Sequence, residues 1–106
     1  MNSYEKEITK KIKNKIQQMT PDAEVILFGS HASGKVHKDS DWDILILLNQ
    51  SVVNRQTEKL FRDELFEVEL EIEQPISAFV FSKNDWEQKH KITPLYQNIK
   101  KEGIYL

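Results

Sequence analysis

The sequence contains no cysteine, which excludes disulfide bonds and thiolate metal sites. It has only three Gly and three Pro in 106 residues, a composition unlike that of low-complexity or linker sequences. The longest apolar run, Ile44 to Leu48, is far shorter than the roughly 20 residues that a membrane-spanning helix needs. The first residues also lack the apolar core of a signal peptide. We therefore expect a cytoplasmic protein with no membrane-spanning segment.

The sequence also lacks an excess of charge of one sign. Fifteen basic and 17 acidic residues give a formal net charge of -2. Proteins that bind nucleic acid through its phosphates usually carry a clear basic excess, so nucleic acid is an unlikely partner. The length fits a single domain over residues 1–106.

The spacing of apolar residues predicts a helix, two strands, a helix, a strand and a final helix. The predicted elements are a helix at 4–19, strands at 25–28 and 42–48, a helix at 54–72, a strand at 76–81, and a helix that begins at 93–94 and ends at Gly103. The end of the 54–72 segment also alternates like a strand, but its length and its many Glu residues favour a helix. We expect an α+β fold with a small mixed β-sheet flanked by helices, in which the 42–48 strand is central.

One stretch, LFGSHASGKVHKDSDWDILILL at residues 27–48, permits two interpretations. The spacing of Gly29, Gly34 and Lys35 imitates a phosphate-binding P-loop. A P-loop also needs a Ser or Thr after the Lys and a helix after that, whereas Val36 follows here and no helical pattern does. The P-loop interpretation is therefore disfavoured.

The second interpretation rests on the two acids at the start of the central strand. Asp41 and Asp43 are two residues apart, so their carboxylates should project from one face of the sheet while Trp42 points to the other. Paired carboxylates on one strand suit Mg²⁺ that also binds substrate phosphates. Gly29 allows a sharp turn close to a phosphate, and Ser30 offers its hydroxyl and backbone N–H as donors.

The pattern Gly29-Ser30, ten residues, Asp41-x-Asp43 resembles the signature of the nucleotidyltransferase fold shared with DNA polymerase beta. The small size resembles that of the minimal nucleotidyltransferases of bacteria and archaea. The resemblance implies transfer of a nucleoside monophosphate from an NTP, usually ATP, with release of pyrophosphate and the use of two Mg²⁺ ions. Asp41 and Asp43 would be the catalytic metal ligands, and Gly29 and Ser30 would bind the nucleotide.

The loop after Gly-Ser differs from the family pattern. Family members often carry Arg there, in a pattern like Gly-Ser-Arg-Ala-Arg-Gly, but this chain has His31 and Ser33 at those positions. We expect Lys35, or else Lys38, to supply the positive charge that binds the nucleotide phosphates.

The third catalytic carboxylate of the family is not evident either. It normally lies on the next core strand, where this chain has Ser77. Glu71 or Glu73, just before that strand, would replace it if either points into the site.

Minimal relatives often act as antitoxins beside a toxin ribonuclease of the HEPN type. The resemblance therefore implies transfer of AMP to a hydroxyl of such a partner, with a tyrosine as the candidate acceptor. The alternative is a catalytically weak or inactive binding module that neutralises its partner by forming a complex.

The remaining side chains that attract attention have ordinary explanations. His31, His37 and His90 lack the spacing of a shared metal site, and we expect them to be surface or partly buried residues. We expect the two Trp and the Phe residues to lie in the core, and the Glu-rich run at 64–73 to be a solvated helix face.

Overall fold

The computed structural model describes residues 1–106 and contains five helices and four strands. In chain order these are α1 Ser3–Met19, β1 Glu24–Phe28, α2 Ser30–Ser33, β2 Trp42–Leu48, α3 Arg55–Ile72, β3 Ile76–Ser82, α4 Lys83–Lys89, α5 Pro94–Glu102 and β4 Ile104–Tyr105. Each predicted helix and strand is confirmed to within one residue at its ends. The short elements α2, α4 and β4 were not among the predicted ones.

The four strands form one mixed sheet in the order β3-β2-β1-β4. β1 pairs antiparallel with β2 and with β4, whereas β2 and β3 are parallel, with α3 as the crossover between them. β2 is therefore flanked on both sides, as its uninterrupted apolar sequence predicts, and its residues from Ile44 to Leu48 are almost fully buried.

Helices cover both faces of the sheet, which gives two apolar clusters. The larger cluster joins α1 and α3 to the sheet, and its main members are Ile8, Ile12, Ile16, Trp42, Ile44, Ile46, Leu48, Phe61, Leu65 and Val68. The smaller cluster joins α4 and α5 to the opposite face through Ile26, Leu45, Leu47, Trp86, Tyr96 and Ile99. Alternate residues of β2 thus belong to different clusters, as expected for a strand between two layers.

The first helix begins at a capping box formed by Asn2 and Glu5. The Asn2 side chain accepts a hydrogen bond from the Glu5 N–H at 2.8 Å, and the Asn2 N–H donates to the Glu5 carboxylate at 3.1 Å. This exchange satisfies two of the four N–H groups that lack a partner within the helix. The helix ends at Met19, before an extended Thr20.

Ion pairs join α1 to α3 along the solvent-exposed side of their contact. Lys15 contacts Glu67 at 2.8 Å and Glu64 at 3.7 Å, and Lys11 contacts Glu71. The Glu-rich run is thus not simply a solvated face, because three of its acids face the lysines of α1. Such exposed pairs contribute only about 0–1 kcal/mol each, but they fix the direction in which these side chains point.

Two aromatic residues depart from the expectation that all lie in the core. Phe66 on α3 is 54% exposed and Phe79 on β3 is 38% exposed, whereas Trp42 and Trp86 are buried as predicted. Phe66 lies on the outer side of an amphipathic helix and Phe79 on the edge strand, so neither has a covering element.

No helix in the fold combines the length and the apolar character that a membrane span requires.

The two-sided burial of β2 predicts a large effect of truncating its side chains. Ile46→Ala should lower the free energy of unfolding by about 2–5 kcal/mol, because Ile46 is fully buried in the larger cluster. Leu60→Ala on α3 is the control, and should change stability by less than about 0.5 kcal/mol because Leu60 is 55% exposed. Urea denaturation followed by circular dichroism measures both, and equal losses in the two variants would contradict this packing.

Candidate functional site

The site forms where the end of β1 meets the start of β2. Because these strands are antiparallel, Phe28 at the end of β1 pairs with Asp43 near the start of β2. The backbone turn at Gly29 therefore lies directly beside the Asp43 side chain. Gly29, Ser30, Asp41 and Asp43, predicted as site residues from their spacing, are brought to one end of the sheet.

The Gly29 backbone packs against the Asp43 carboxylate. A Cβ built on Gly29 would lie 2.1 Å from Asp43 Oδ2 and 3.0 Å from its Cγ, so any larger residue would displace the carboxylate. Gly29 also adopts φ 72° and ψ -153°, a conformation that is essentially restricted to glycine. Two independent constraints thus require glycine here, and both maintain the contact with Asp43.

The two carboxylates lie on the same face of the sheet, as predicted. Asp43, Leu45 and Leu47 are alternate residues of β2, so their side chains point to the same face of the sheet. The side chains of the two leucines pack toward α4 and α5. Trp42 points to the opposite face, where it is fully buried in the larger cluster. Asp41 and Asp43 are each half-buried, so they remain accessible from solvent.

Ser77 on β3 lies next to this pair. It is the register partner of Asp43, and its Oγ donates a hydrogen bond to Asp41 Oδ2 at 3.1 Å. The structure thus places a neutral hydroxyl beside the two acids, at the strand position where the family resemblance leads us to expect a third carboxylate.

Neither acid considered as a replacement is placed to serve. Glu71 contacts Lys11 on α1, and Glu73 is an exposed residue that ends α3 in the left-handed conformation at φ 57°. Glu69 has a structural role instead, because its carboxylate accepts from the Ile76 N–H at 2.6 Å at the start of β3. No group of three or more His, Cys, Asp or Glu side chains in the chain is arranged to hold a metal ion.

The environment of Asp43 favours its protonated form. Partial burial raises the pKa of the Asp43 carboxyl above its ordinary value of 3.8, and the charge of Asp41 raises it further, while His31 lowers it. Both raising effects would be offset by a positive charge between the two carboxylates.

His31 corrects the expectation for the histidines. It is buried, with its ring stacked on that of Trp42 at a centroid distance of 3.6 Å and an interplanar angle of 10°. Neither ring nitrogen has a hydrogen-bond partner. His37 is exposed and His90 half-buried, as expected. The His31–Trp42 stack anchors α2 to β2 from the side opposite the carboxylates.

A cavity of about 590 Å³ lies on the His31 side of the sheet. It is lined by Asn2, Tyr4, Glu5, His31, Gly34, Val36, His37, Lys38 and Gln74. Gln74 connects the elements around it, accepting from the Trp42 indole N–H at 2.9 Å and donating to the Tyr4 hydroxyl at 2.6 Å. Asp41 and Asp43 do not line this cavity, so the carboxylate pair faces a different surface.

The remaining predicted residue, Lys35, lies in the exposed loop after α2. Like Lys38, it forms no ion pair with an acid of the chain. α2 has only four residues and is followed by an irregular segment that leads into β2. Lys35 therefore does not begin a long helix, and the P-loop interpretation lacks its required geometry.

The donor set fits a hard divalent cation that is shared with a phosphate. Two half-buried carboxylates from one strand provide anionic oxygens, and the first N–H groups of α2, which include that of Ser30, have no partner within the helix. Sequence reasoning missed two features of this site, the stack of His31 on Trp42 and the hydrogen bond of Ser77 to Asp41. The sequence placed Ser77 at the position expected for a third acid, and the β2–β3 register shows that it lies opposite Asp43.

Comparison with known proteins finds a matching family model and a similar solved structure. The sequence model described as the nucleotidyltransferase domain matches residues 9–106. Among solved structures, a chain from "Crystal structure of the toxin-antitoxin with AMP-PNP" is similar, with a TM-score of 0.59 and 18% sequence identity. The similarity covers 87% of this chain and 69% of that chain. At this identity the likeness establishes the fold alone. No curated protein matches.

Gly29→Ala tests the contact between the turn and Asp43. The added methyl group should displace the carboxylate toward solvent, so the pKa of Asp43 should fall back toward its ordinary value. Gly34→Ala is the matched control, because Gly34 also has positive φ but has open space where a Cβ would lie. Strain should cost the control about 1–2 kcal/mol and leave the pKa unchanged. NMR titration of the Asp43 carboxyl measures its pKa in both variants. A pKa of Asp43 that equals the wild-type value in both would refute the contact.

Asp43→Asn tests how far the ionised carboxylate pair lowers the free energy of unfolding. Since the pKa of Asp43 is higher in the folded state, ionisation of Asp43 lowers stability as the pH rises from about 3.8 through the folded pKa. Asp43→Asn should therefore be more stable than the wild type at pH 7, and this gain should disappear at pH 3. Urea denaturation at both pH values measures it, with the exposed Asp39→Asn as control. A loss of stability in Asp43→Asn at pH 7 would contradict the prediction.

Proposed function

The chain belongs to the nucleotidyltransferase domain family, and we propose that it binds ATP with Mg²⁺ at Asp41 and Asp43 and transfers AMP to a hydroxyl group. The observation that carries the proposal is the packing of the Gly29 backbone against Asp43. This contact joins the turn suited to phosphate with the strand that bears the acids. A merely structural Asp pair would not need a glycine held in a restricted conformation beside it.

Each residue of the site has a role in this proposal. Asp41 and Asp43 hold Mg²⁺, which supplies positive charge to the phosphates when it is bound. The backbone N–H and the hydroxyl of Ser30 donate hydrogen bonds to the phosphates, and Gly29 lets them approach the chain closely. Lys35, which has no acidic partner within the chain, adds positive charge from the loop.

The proposed reaction is an in-line displacement at the α-phosphorus of ATP. The acceptor oxygen forms a bond to the α-phosphorus, and the bond from that phosphorus to the oxygen bridging to the β-phosphate breaks. Pyrophosphate leaves with the electron pair of the broken bond, and the acceptor hydroxyl releases its proton to water. Orientation of the triphosphate by Ser30 and by the fixed carboxylates is the contribution of this chain.

The proposed acceptor is a hydroxyl of a protein partner, with a tyrosine of a HEPN-type toxin as the first candidate. Two considerations support an antitoxin role. The similar solved chain comes from a toxin-antitoxin structure with AMP-PNP, and the sequence resembles the minimal nucleotidyltransferases. The net charge of -2 also disfavours a nucleic-acid acceptor.

One observation favours a second candidate, a binding module that neutralises its partner by complex formation alone. The position beside the two acids is occupied by Ser77, and no third acid is grouped with them. A site that binds nucleotide but reacts slowly would serve such a module as a nucleotide sensor.

ATP labelled at either the α- or the γ-phosphate distinguishes the transfer reactions. Incubation with Mg²⁺ and the toxin partner should label the partner from α-labelled ATP alone. Asp41→Asn should reduce this labelling by more than the roughly 10- to 100-fold that loss of a supporting residue costs. Asp39→Asn is the matched control, since Asp39 is an exposed acid two residues earlier, and it should retain the labelling.

Three results would change the assignment. Label from the γ-phosphate alone would contradict nucleotidyl transfer. Label from the α-phosphate that Asp41→Asn retains would refute the proposed metal site. No label, with a stable complex and full neutralisation by Asp41→Asn, would establish the binding module instead.

A further inference from the structure

The acid pair at the site has no third acidic ligand grouped with it. Asp41 and Asp43 are the acids at this end of the sheet, and no third His, Cys, Asp or Glu is grouped with them. A Mg²⁺ ion that also binds substrate phosphates needs only one or two carboxylates, and water can fill the other positions. The pair therefore suffices for one ion that is shared with a nucleotide.

The neighbouring strand β3 adds a hydroxyl and no acid to the pair. Ser77 is the β3 residue opposite Asp43, and its hydroxyl donates to Asp41 Oδ2 at 3.1 Å. The Ser77 hydroxyl occupies one lone pair of the Asp41 carboxylate and adds no negative charge. A second dication would have to share the same two carboxylates with the first, against the repulsion between the ions.

The nearby acids of α3 are held by other contacts. Glu71 pairs with Lys11, and Glu69 accepts from the Ile76 N–H at the start of β3. Moving Glu69 toward the site would leave a backbone N–H at the start of a strand without its partner, which carries a desolvation cost. Glu73 is exposed at the end of α3 and is not grouped with the Asp pair.

We propose that this site binds one divalent cation per nucleotide, and that Ser77 sets this number by occupying the third ligand position and orienting Asp41. The inference rests on the proposed function, because the phosphates of the nucleotide complete the coordination of the ion. It differs from the two-ion arrangement that the family resemblance implies. Ser77 is a positioning residue in this scheme, since it acts through Asp41.

The number of ions affects the rate of AMP transfer more than it affects nucleotide binding. In two-metal sites, the second ion stabilises the attacking oxygen of an in-line displacement. A one-ion site retains the charge that binds the nucleotide phosphates and lacks this second contribution. We therefore expect nucleotide binding without a correspondingly fast transfer.

Counting bound Mn²⁺ tests the proposal without relying on activity. Electron paramagnetic resonance gives the Mn²⁺ bound per chain in the presence of saturating α,β-methylene-ATP, and equilibrium dialysis gives the bound nucleotide. One Mn²⁺ per bound nucleotide is expected. Two Mn²⁺ per nucleotide would overturn this inference and leave the proposed function intact, whereas no bound nucleotide would overturn both.

Variants at position 77 test the role of Ser77. Ser77→Asp should raise the count to two, whereas Ser51→Asp, which adds the same charge at an exposed loop beyond β2, should leave it at one. Ser77→Ala should keep the count at one and weaken Mn²⁺ binding by about 10-fold, because Asp41 loses its hydrogen-bond donor. A count of one in folded Ser77→Asp would overturn the role of Ser77, and so would unchanged Mn²⁺ affinity in Ser77→Ala.

Discussion

The antiparallel pairing of β1 with β2 is the constraint on which the site depends. It sets Phe28 opposite Asp43, so the turn that follows β1 must pass against the Asp43 carboxylate. The backbone conformation of that turn favours glycine, and a Cβ there would lie 2.1 Å from Asp43 Oδ2 and displace the carboxylate. The register is itself fixed by burial, since β2 contributes alternate side chains to the two apolar clusters. A shift of one residue would exchange the two faces of β2 and turn the Asp43 carboxylate, in place of Trp42, toward the larger cluster.

We expect the acid pair to reduce the stability of the fold that carries it. Partial burial and the charge of Asp41 both raise the pKa of Asp43, so the ionised pair is unfavourable without a cation. The surrounding structure nevertheless holds the pair in place, through the Gly29 turn on one side and the Ser77 hydroxyl on the other. Stacking of His31 on Trp42 fixes α2 from the opposite face of the sheet. Strain and charge repulsion of this kind are typical of functional sites, where stability and activity conflict.

Much of the fold follows from the sequence because the relevant signals are local. The capping box of Asn2 and Glu5, the apolar run of β2 and the Thr93-Pro94 start of α5 each predict an element that the structure contains. α4 escaped prediction because one buried residue, Trp86, gives no periodicity in seven residues. The position of Glu71 depends on how α1 packs across α3, and the burial of His31 depends on Trp42, so neither has a local signal. Ser77 could be noted from the sequence, but its hydrogen bond to Asp41 follows only from the β2–β3 register.

In the proposed function, the nucleotide and the cation bind together at the Asp41–Asp43 pair, beside the Gly29 turn. A crystal structure of the protein grown with Mn²⁺ and a non-hydrolysable ATP analogue tests it most directly, because anomalous scattering locates Mn²⁺ independently of the phosphates. We expect a Mn²⁺ peak in contact with Asp41, Asp43 and the triphosphate, with the phosphates next to Ser30. Nucleotide bound instead in the cavity lined by His31 and Lys38, with no Mn²⁺ at the carboxylates, would contradict it.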